Sequence, residues 1–240
     1  MFSRFKKIND NISLIEKEDI KEDIEEYDFK PKKYNFYKMK DFHVIGFNNS
    51  NSIINNFCNA RCLSNFINCL NGIIICVPGH GAIKFKNAEA AFQAVKYHEE
   101  AKKFIKLSGF EVIRLKNKLK NIYPERYESP ELMFEILLAK FRQNPKLGKI
   151  LCETGDAFLI EHSYRDNRWS NNGDGTGSNL LGLLLMKVRY IINIEITKKY
   201  SIKALQHNQY MDLPPRFTNI KVKEFILKAT DSILNIIKQK

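Results

Sequence analysis

Apolar and polar positions along the chain alternate between two rhythms. Short apolar runs of four to six residues mark strands. These are His43–Phe47, Gly72–Val77, Ala82–Phe85 and Ala157–Ile160. The middle two are separated by Pro78-Gly-His-Gly81, so they predict a hairpin. Longer stretches with helical spacing predict helices at Asn87 to about Lys106, Gly109–Lys120, Pro130–Gln143, Pro145–Glu153 and Asn179–Ile196. Asn87 and Ser129 are good N-caps, and Pro130 suits the first helical position. Gly155 stops the fourth helix. Helices outweigh strands, and the expected fold is mainly α with a few short β-strands.

The helix after Asn87 has an unusual surface. Ala88, Ala90, Ala91, Phe92, Ala94, Val95 and Tyr97 cover most of it. Glu89, Gln93 and Lys96 fall at i, i+4 and i+7, a single polar stripe on a largely buried helix. The stripe faces either solvent or a polar cavity, and from the pattern alone solvent is the expected side. Between the last strand and the last helix lies a polar loop, Glu161–Ser178. It carries the single tryptophan, Trp169, and Gly173, Gly175 and Gly177. Loops of this length in compact domains are functional or disordered. Glycines before a helix N-terminus permit an anion site. The spacing through Gly182 is not the dinucleotide-binding fingerprint, and the reading taken is a glycine-rich turn that starts a helix, with Ser178 or Asn179 as its cap.

Three segments follow from these patterns. Residues 1–40 are a variable extension, with a charged helix expected over Ile12–Tyr27 and a linker or strap over 32–40. Residues 41–196 form the domain. Residues 197–240 are a basic helical extension, broken at Pro214-Pro215, with an amphipathic helix at Val222–Lys238. That extension is expected to be dispensable for chemistry on a free nucleotide.

Composition changes this picture little. The 240 residues are 44% hydrophobic and 28% charged, ordinary for a globular chain. The net charge of +12 suits an anionic partner. Residues 1–40 carry 10 basic and 9 acidic side chains, whereas 196–240 carry 9 and 3, so half of the net charge sits in the tail. A solvated helical face explains this better than a nucleic-acid contact does, since the tail has no Arg-rich or aromatic-interleaved stripe. No signal peptide or membrane span is visible, so an intracellular, cytoplasmic protein is expected. Cys58, Cys62, Cys69 and Cys76 have no common zinc spacing and read as buried thiols. No metal or cofactor is called for.

Five motifs, in order, carry a resemblance. They are Leu63-Ser-Asn-Phe66, Asn87-Ala-Glu-Ala-Ala-Phe-Gln-Ala-Val-Lys96, Ala139-Lys-Phe-Arg-Gln-Asn-Pro145, Asp166-Asn-Arg-Trp169 and Gly177-Ser-Asn-Leu-Leu-Gly182 running on to Met186 and Arg189. Together they resemble the NADAR, or YbiA-like, family of N-glycosidases over about residues 43–192. The resemblance implies a compact helical domain that cleaves N-glycosidic bonds in small nucleotide-like molecules. One branch acts on ribosylamino-pyrimidine phosphates early in riboflavin biosynthesis. Another removes ADP-ribose from guanine bases in nucleic acid. A non-catalytic module binding NAD or ADP-ribose is the alternative of a different class. Two departures stand out. The glycine common after the tryptophan is Ser170 here, and Asn87 replaces the serine near the helix glutamate.

Breaking a ribosyl C–N bond develops positive charge on the sugar, which carboxylates stabilise while activating water or protonating the leaving group. The matching carboxylates are Glu89 and Asp166. Glu89 lies in a first helical turn, where the dipole favours an ionised base or charge stabiliser. Lys96 is implied as a third catalytic residue, as a cationic clamp or as a Schiff-base nucleophile. Substrate contacts are expected from Asn65, Phe66, Gln93, Trp169, Ser178 and Asn179, with Trp169 stacking on the base or excluding water. Arg189 ranks below these as a core ion-pair residue. Glu161 and His162, which end the strand, are left outside the catalytic set. The expected partner is a small phosphorylated nucleotide-like substrate or ADP-ribosylated nucleic acid, with no membrane contact.

Overall fold

The computed structural model describes residues 37–39, 42–48, 60–122, 129–164, 166–197, 224 and 226–231. The helix expected at 12–27 and the thiol of Cys58 lie outside them. Strands β1 (Tyr37–Met39), β2 (Phe42–Phe47) and β5 (Phe158–Glu161) form one sheet in the order β1-β2-β5. β1 and β2 are antiparallel, and β2 and β5 are parallel, with Phe47 opposite Glu161. The stretch expected to be a linker thus supplies an edge strand. β3 (Ile73–Val77) and β4 (Gly81–Phe85) make the expected hairpin.

The helices are α1 (Ala88–Lys96), α2 (Gly109–Ile122), α3 (Pro130–Gln143), α4 (Pro145–Glu153) and α5 (Leu180–Thr197). The fold is mainly α, as the periodicity predicts. Ser129 caps α3 by accepting the Leu132 N–H, and Asn87 caps α1 by accepting the Ala90 N–H at 2.9 Å. The Asn87 amide also donates to Leu107 O and Asn68 Oδ1, so this buried cap ties three segments together.

One helix is shorter than its pattern. α1 ends at Lys96, Tyr97 leaves helical geometry, and a 3₁₀ helix follows over His98–Phe104. No proline or glycine announces this break. Tyr97 is buried and stacks on Phe104, with ring centroids 6.5 Å apart and planes 19° from parallel. Tertiary burial of two rings outweighs the few tenths of a kcal/mol by which propensity separates ordinary residues.

The core lies among α1, α3, α5 and the two sheets. Ala88, Ala90, Ala91 and Ala94 of α1 are fully buried. α5 presses on β5 at Gly182, where a Cβ would lie 2.2 Å from Leu159 O. Lys140 is buried within α3, and its Nζ donates to Cys62 O (2.9 Å) and Ser64 O (2.8 Å). Burial pushes this ammonium below its ordinary pKa. The two bonds pin the segment that ends at Asn65.

A described part of the C-terminal extension packs on this body. Residues 226–231 are helical, and Ile226, Ala229 and Thr230 are buried. Asn171 Nδ2 donates to Thr230 Oγ1 at 2.8 Å. A Cβ added at Gly175 would meet Leu227 and Thr230 at 3.0–3.2 Å. The tail therefore covers the glycine loop, a contact that the break at Pro214-Pro215 does not foretell.

Candidate active site

The polar stripe of α1 faces inward. Glu89 and Gln93 are buried, and Gln93 Nε2 donates to Glu89 Oε1 at 2.9 Å. This bond fixes the Gln93 amide, because a flip would set two acceptor oxygens together. The Glu89 backbone N–H donates to Asn65 O at 3.1 Å. The segment pinned by Lys140 thereby satisfies an orphan donor of the first turn of α1. Asn65 is buried, and its Nδ2 lies 3.5 Å from Met133 Sδ.

A second carboxylate, that of Glu161, feels the charges of both Glu89 and Asp166. Glu161, at the end of β5, is buried. Its pKa is pushed well above the usual carboxylate range, first by burial and then by the charges of Asp166 and Glu89. Asp166 sits half-buried in the following loop, where its Oδ1 accepts the N–H groups of Arg168 (3.1 Å) and Trp169 (2.8 Å). That turn sets the indole. Trp169 is half-buried, edge-on to Phe92 of α1 at 5.6 Å, with the Arg168 guanidinium 5.7 Å from its ring centroid.

Two buried acceptor atoms beside this group have no hydrogen-bond donor among the described residues, Asn65 Oδ1 and Gln93 Oε1. Buried polar atoms are ordinarily paired. The arrangement therefore offers carboxylates and free acceptors to a ligand that donates hydrogen bonds or carries positive charge.

The remaining predicted residues have other neighbours. Lys96 is half-buried at the last position of α1, its Nζ 5.7 Å from the Tyr97 ring centroid. Phe66 is half-buried, edge-on to Phe110 at 5.4 Å, and packs against Gly109. Ser178 is exposed, with its N–H donating to Asn167 O. Asn179 is fully buried with φ 47°, and both ends of its amide are used inside the protein. Its Oδ1 accepts the Glu161 N–H (2.9 Å), and its Nδ2 donates to Leu159 O (2.8 Å). It stands at the cap position of α5, yet its side chain serves the strand. Arg189 is buried too and donates to Thr154 Oγ1 and Ala157 O.

The glycine loop spends its N–H groups internally. Those of Gly175 and Gly177 donate to Asn171 O, that of Gly173 to Asn171 Oδ1, and that of Asn179 to Ser170 O. Gly173 (φ 81°) and Gly175 (φ 89°) adopt backbone that favours glycine. The loop is a turn that starts a helix. Ser170, in place of the common glycine, is buried, and its hydroxyl lies 2.7 Å from both Ser163 O and Asp166 O. It holds the turn bearing Asp166 closed.

The residue that sequence reasoning passed over is Glu161. Its signal was a carboxylate ending an otherwise apolar strand, where an unpaired charge is costly. Among the described residues, no group of three or more His, Cys, Asp or Glu side chains is placed to hold a metal ion.

A mainly helical domain with carboxylates drawn together beside an indole is the class of protein that this geometry defines. The chain belongs to the NADAR domain family, whose model matches residues 46–193. A riboflavin biosynthesis protein of Vibrio vulnificus is 38% identical over 100 residues, covering 42% of this chain and 26% of that protein. The N-glycosidase YbiA of Escherichia coli is 42% identical over 65 residues, 27% of this chain and 41% of that protein. The matches thus span from about a quarter to two fifths of these relatives. The NMR structure of E. coli YbiA aligns with 69% of this chain and 93% of its own, at 26% identity and a TM-score of 0.49.

Proposed function

We propose that the protein is an N-glycosidase that hydrolyses the C–N bond of a small phosphorylated ribosylamine, such as an early intermediate of riboflavin biosynthesis. The observation that carries this reading is a buried Glu161 on which the charges of Glu89 and Asp166 act, together with two buried acceptors, Asn65 Oδ1 and Gln93 Oε1, that have no donor among the described residues. A ribosylamine suits such a lining. Its hydroxyls and amino groups donate hydrogen bonds, and its sugar turns cationic as the bond breaks. The relatives, an N-glycosidase and a riboflavin biosynthesis protein by name, support the reading.

In this reading Glu89 activates the attacking water or stabilises the sugar cation. Asp166 faces the same charge from the loop and orients Trp169, which walls the reacting bond from solvent. Gln93 holds the Glu89 carboxylate and offers its own oxygen to a sugar hydroxyl. Lys96, further along the stripe, clamps an anionic group or attacks the opened sugar. Phe66, Ser178 and Asn179 are weaker contacts, Asn179 because its amide is already engaged.

The test is incubation with a ribosylaminopyrimidine 5′-phosphate and, separately, with an oligonucleotide carrying ADP-ribosylated guanine. Mass spectrometry then looks for free base and free sugar. Release from the small substrate is the expected result. Release from the oligonucleotide alone would transfer the reading to ADP-ribose removal, for which the basic tail would be a nucleic-acid contact. Binding without release would leave a non-catalytic module.

A further inference from the structure

Glu161 differs from the other two carboxylates of the site. Its backbone is held on both sides, the N–H by Asn179 Oδ1 and the carbonyl oxygen by the Asn171 N–H. The residue is 8% exposed, and no described residue donates a hydrogen bond to its carboxyl. By contrast, Asp166 Oδ1 accepts two backbone N–H groups and Glu89 Oε1 accepts the Gln93 amide. The charged groups that act on Glu161 are Glu89, from α1, and Asp166, from the loop, both of the same sign. Among the described residues, burial and both of these charges oppose a third negative charge here.

We propose that Glu161 is the general acid of this site, delivering its proton to the nitrogen that leaves the sugar. The inference rests on the N-glycosidase reading and adds to it the source of the proton. The neighbouring titratable group is unsuited to the task. Asn171 Oδ1 accepts the Gly173 N–H, so its Nδ2 points to His162 Nδ1 as a donor, at 3.1 Å. Burial pushes the His162 pKa below its ordinary value, which disfavours the imidazolium that would donate such a proton.

The step balances within one substrate and one water. The C1′–N bond breaks with its electron pair on nitrogen, and nitrogen takes the Glu161 proton. Water oxygen bonds to C1′, and the proton it loses passes to Glu89. Proton exchange with solvent returns Glu161 to its acid form and Glu89 to its base form. The sum is addition of water across the glycosidic bond. An amine leaving group gains most from this proton, because an amide anion is a far worse leaving group than a neutral amine.

Two measurements on the full chain test the proposal. The first needs no substrate. At neutral pH, the infrared difference between wild type and Glu161→Gln is expected to show the carbonyl stretch of a protonated carboxylic acid. Absence of that band would overturn the proposal whatever the substrate is. The second compares leaving groups. Glu161→Gln is expected to lose about 100-fold or more in kcat on a ribosylaminopyrimidine phosphate, within the range of a lost general acid. It should lose less than about tenfold on 4-nitrophenyl β-D-ribofuranoside 5-phosphate, whose phenolate leaves without a proton. Equal losses on both substrates would overturn the acid role. Should Glu161→Gln fail to fold, Glu161→Asp carries the test: it must keep the infrared band and the alkaline limb of the pH–rate profile. Loss of that limb with the band intact would refute the assignment. A wild type that shows the band yet cleaves neither substrate would defeat the N-glycosidase reading itself, and the acid role with it.

Discussion

Asn179→Ala separates a structural bond from a substrate contact. The wild-type amide makes two hydrogen bonds inside the protein, 2.9 Å from the Glu161 N–H and 2.8 Å to Leu159 O. Alanine leaves both strand groups without that partner in a fully buried place, at about 1–3 kcal/mol each. The left-handed backbone at φ 47° adds about 1 kcal/mol, since asparagine tolerates it better than alanine. A total of about 3–7 kcal/mol is expected, a large part of the usual stability of a domain. A side chain at Gly182 cannot fill the gap, because a Cβ there would lie 2.2 Å from Leu159 O. Urea unfolding followed by tryptophan fluorescence reads the change directly, as Trp169 reports on this loop. A midpoint displaced by less than about 0.5 kcal/mol, accompanied by a raised KM, would refute the reasoning and return Asn179 to the substrate contacts.

Other outcomes follow from the same geometry. Glu161 has a folded pKa above its unfolded one, so the folded state holds a proton that the unfolded chain has lost. Its contribution to stability is complete below the unfolded value near 4.3 and declines by about 1.4 kcal/mol per pH unit up to the folded value; Glu161→Gln should therefore flatten the fall in melting temperature above about pH 4.3, and an unchanged slope would contradict the shift. Thr230→Val removes the acceptor of the buried Asn171 amide and should cost about 1–2 kcal/mol by urea unfolding, whereas no change would mean that the tail contact is idle. Lys96→Arg should abolish turnover, and borohydride with product sugar should leave an adduct on Lys96, if that amine forms an imine. An active arginine variant with no adduct makes Lys96 a clamp.

Much of the frame was legible because single elements carried their own signals. Ser129-Pro130 opened α3 at the expected place, and the Asn87 cap opened α1. The hairpin followed from two apolar runs around Pro78-Gly-His-Gly81. The end of α1 was illegible because burial of Tyr97 against Phe104, not a local breaker, decides it. The inward face of Glu89 and Gln93 could not be read from spacing, which serves solvent and cavity alike. Glu161 was hidden for a related reason. Its meaning depends on two carboxylates distant in sequence from β5 or beyond a loop, and on an asparagine 18 residues on. Asn179 misled in the opposite sense, since a cap position before a helix does not reveal that its amide turns to a strand. The docking of residues 226–231 on the glycine loop also rests on a long-range bond, between Asn171 and Thr230.

The central claim is that Glu89 acts on the reacting bond. Measuring kcat for wild type and Glu89→Gln on a ribosylaminopyrimidine phosphate, with melting recorded for both, tests it most directly. A glutamine there can still accept the Gln93 amide through its own oxygen, so the fold should hold. The account predicts unchanged or slightly raised melting, because one of the charges opposing Glu161 is gone, and a loss of at least about 100-fold in kcat. Turnover within a few-fold of wild type at unchanged melting would contradict it.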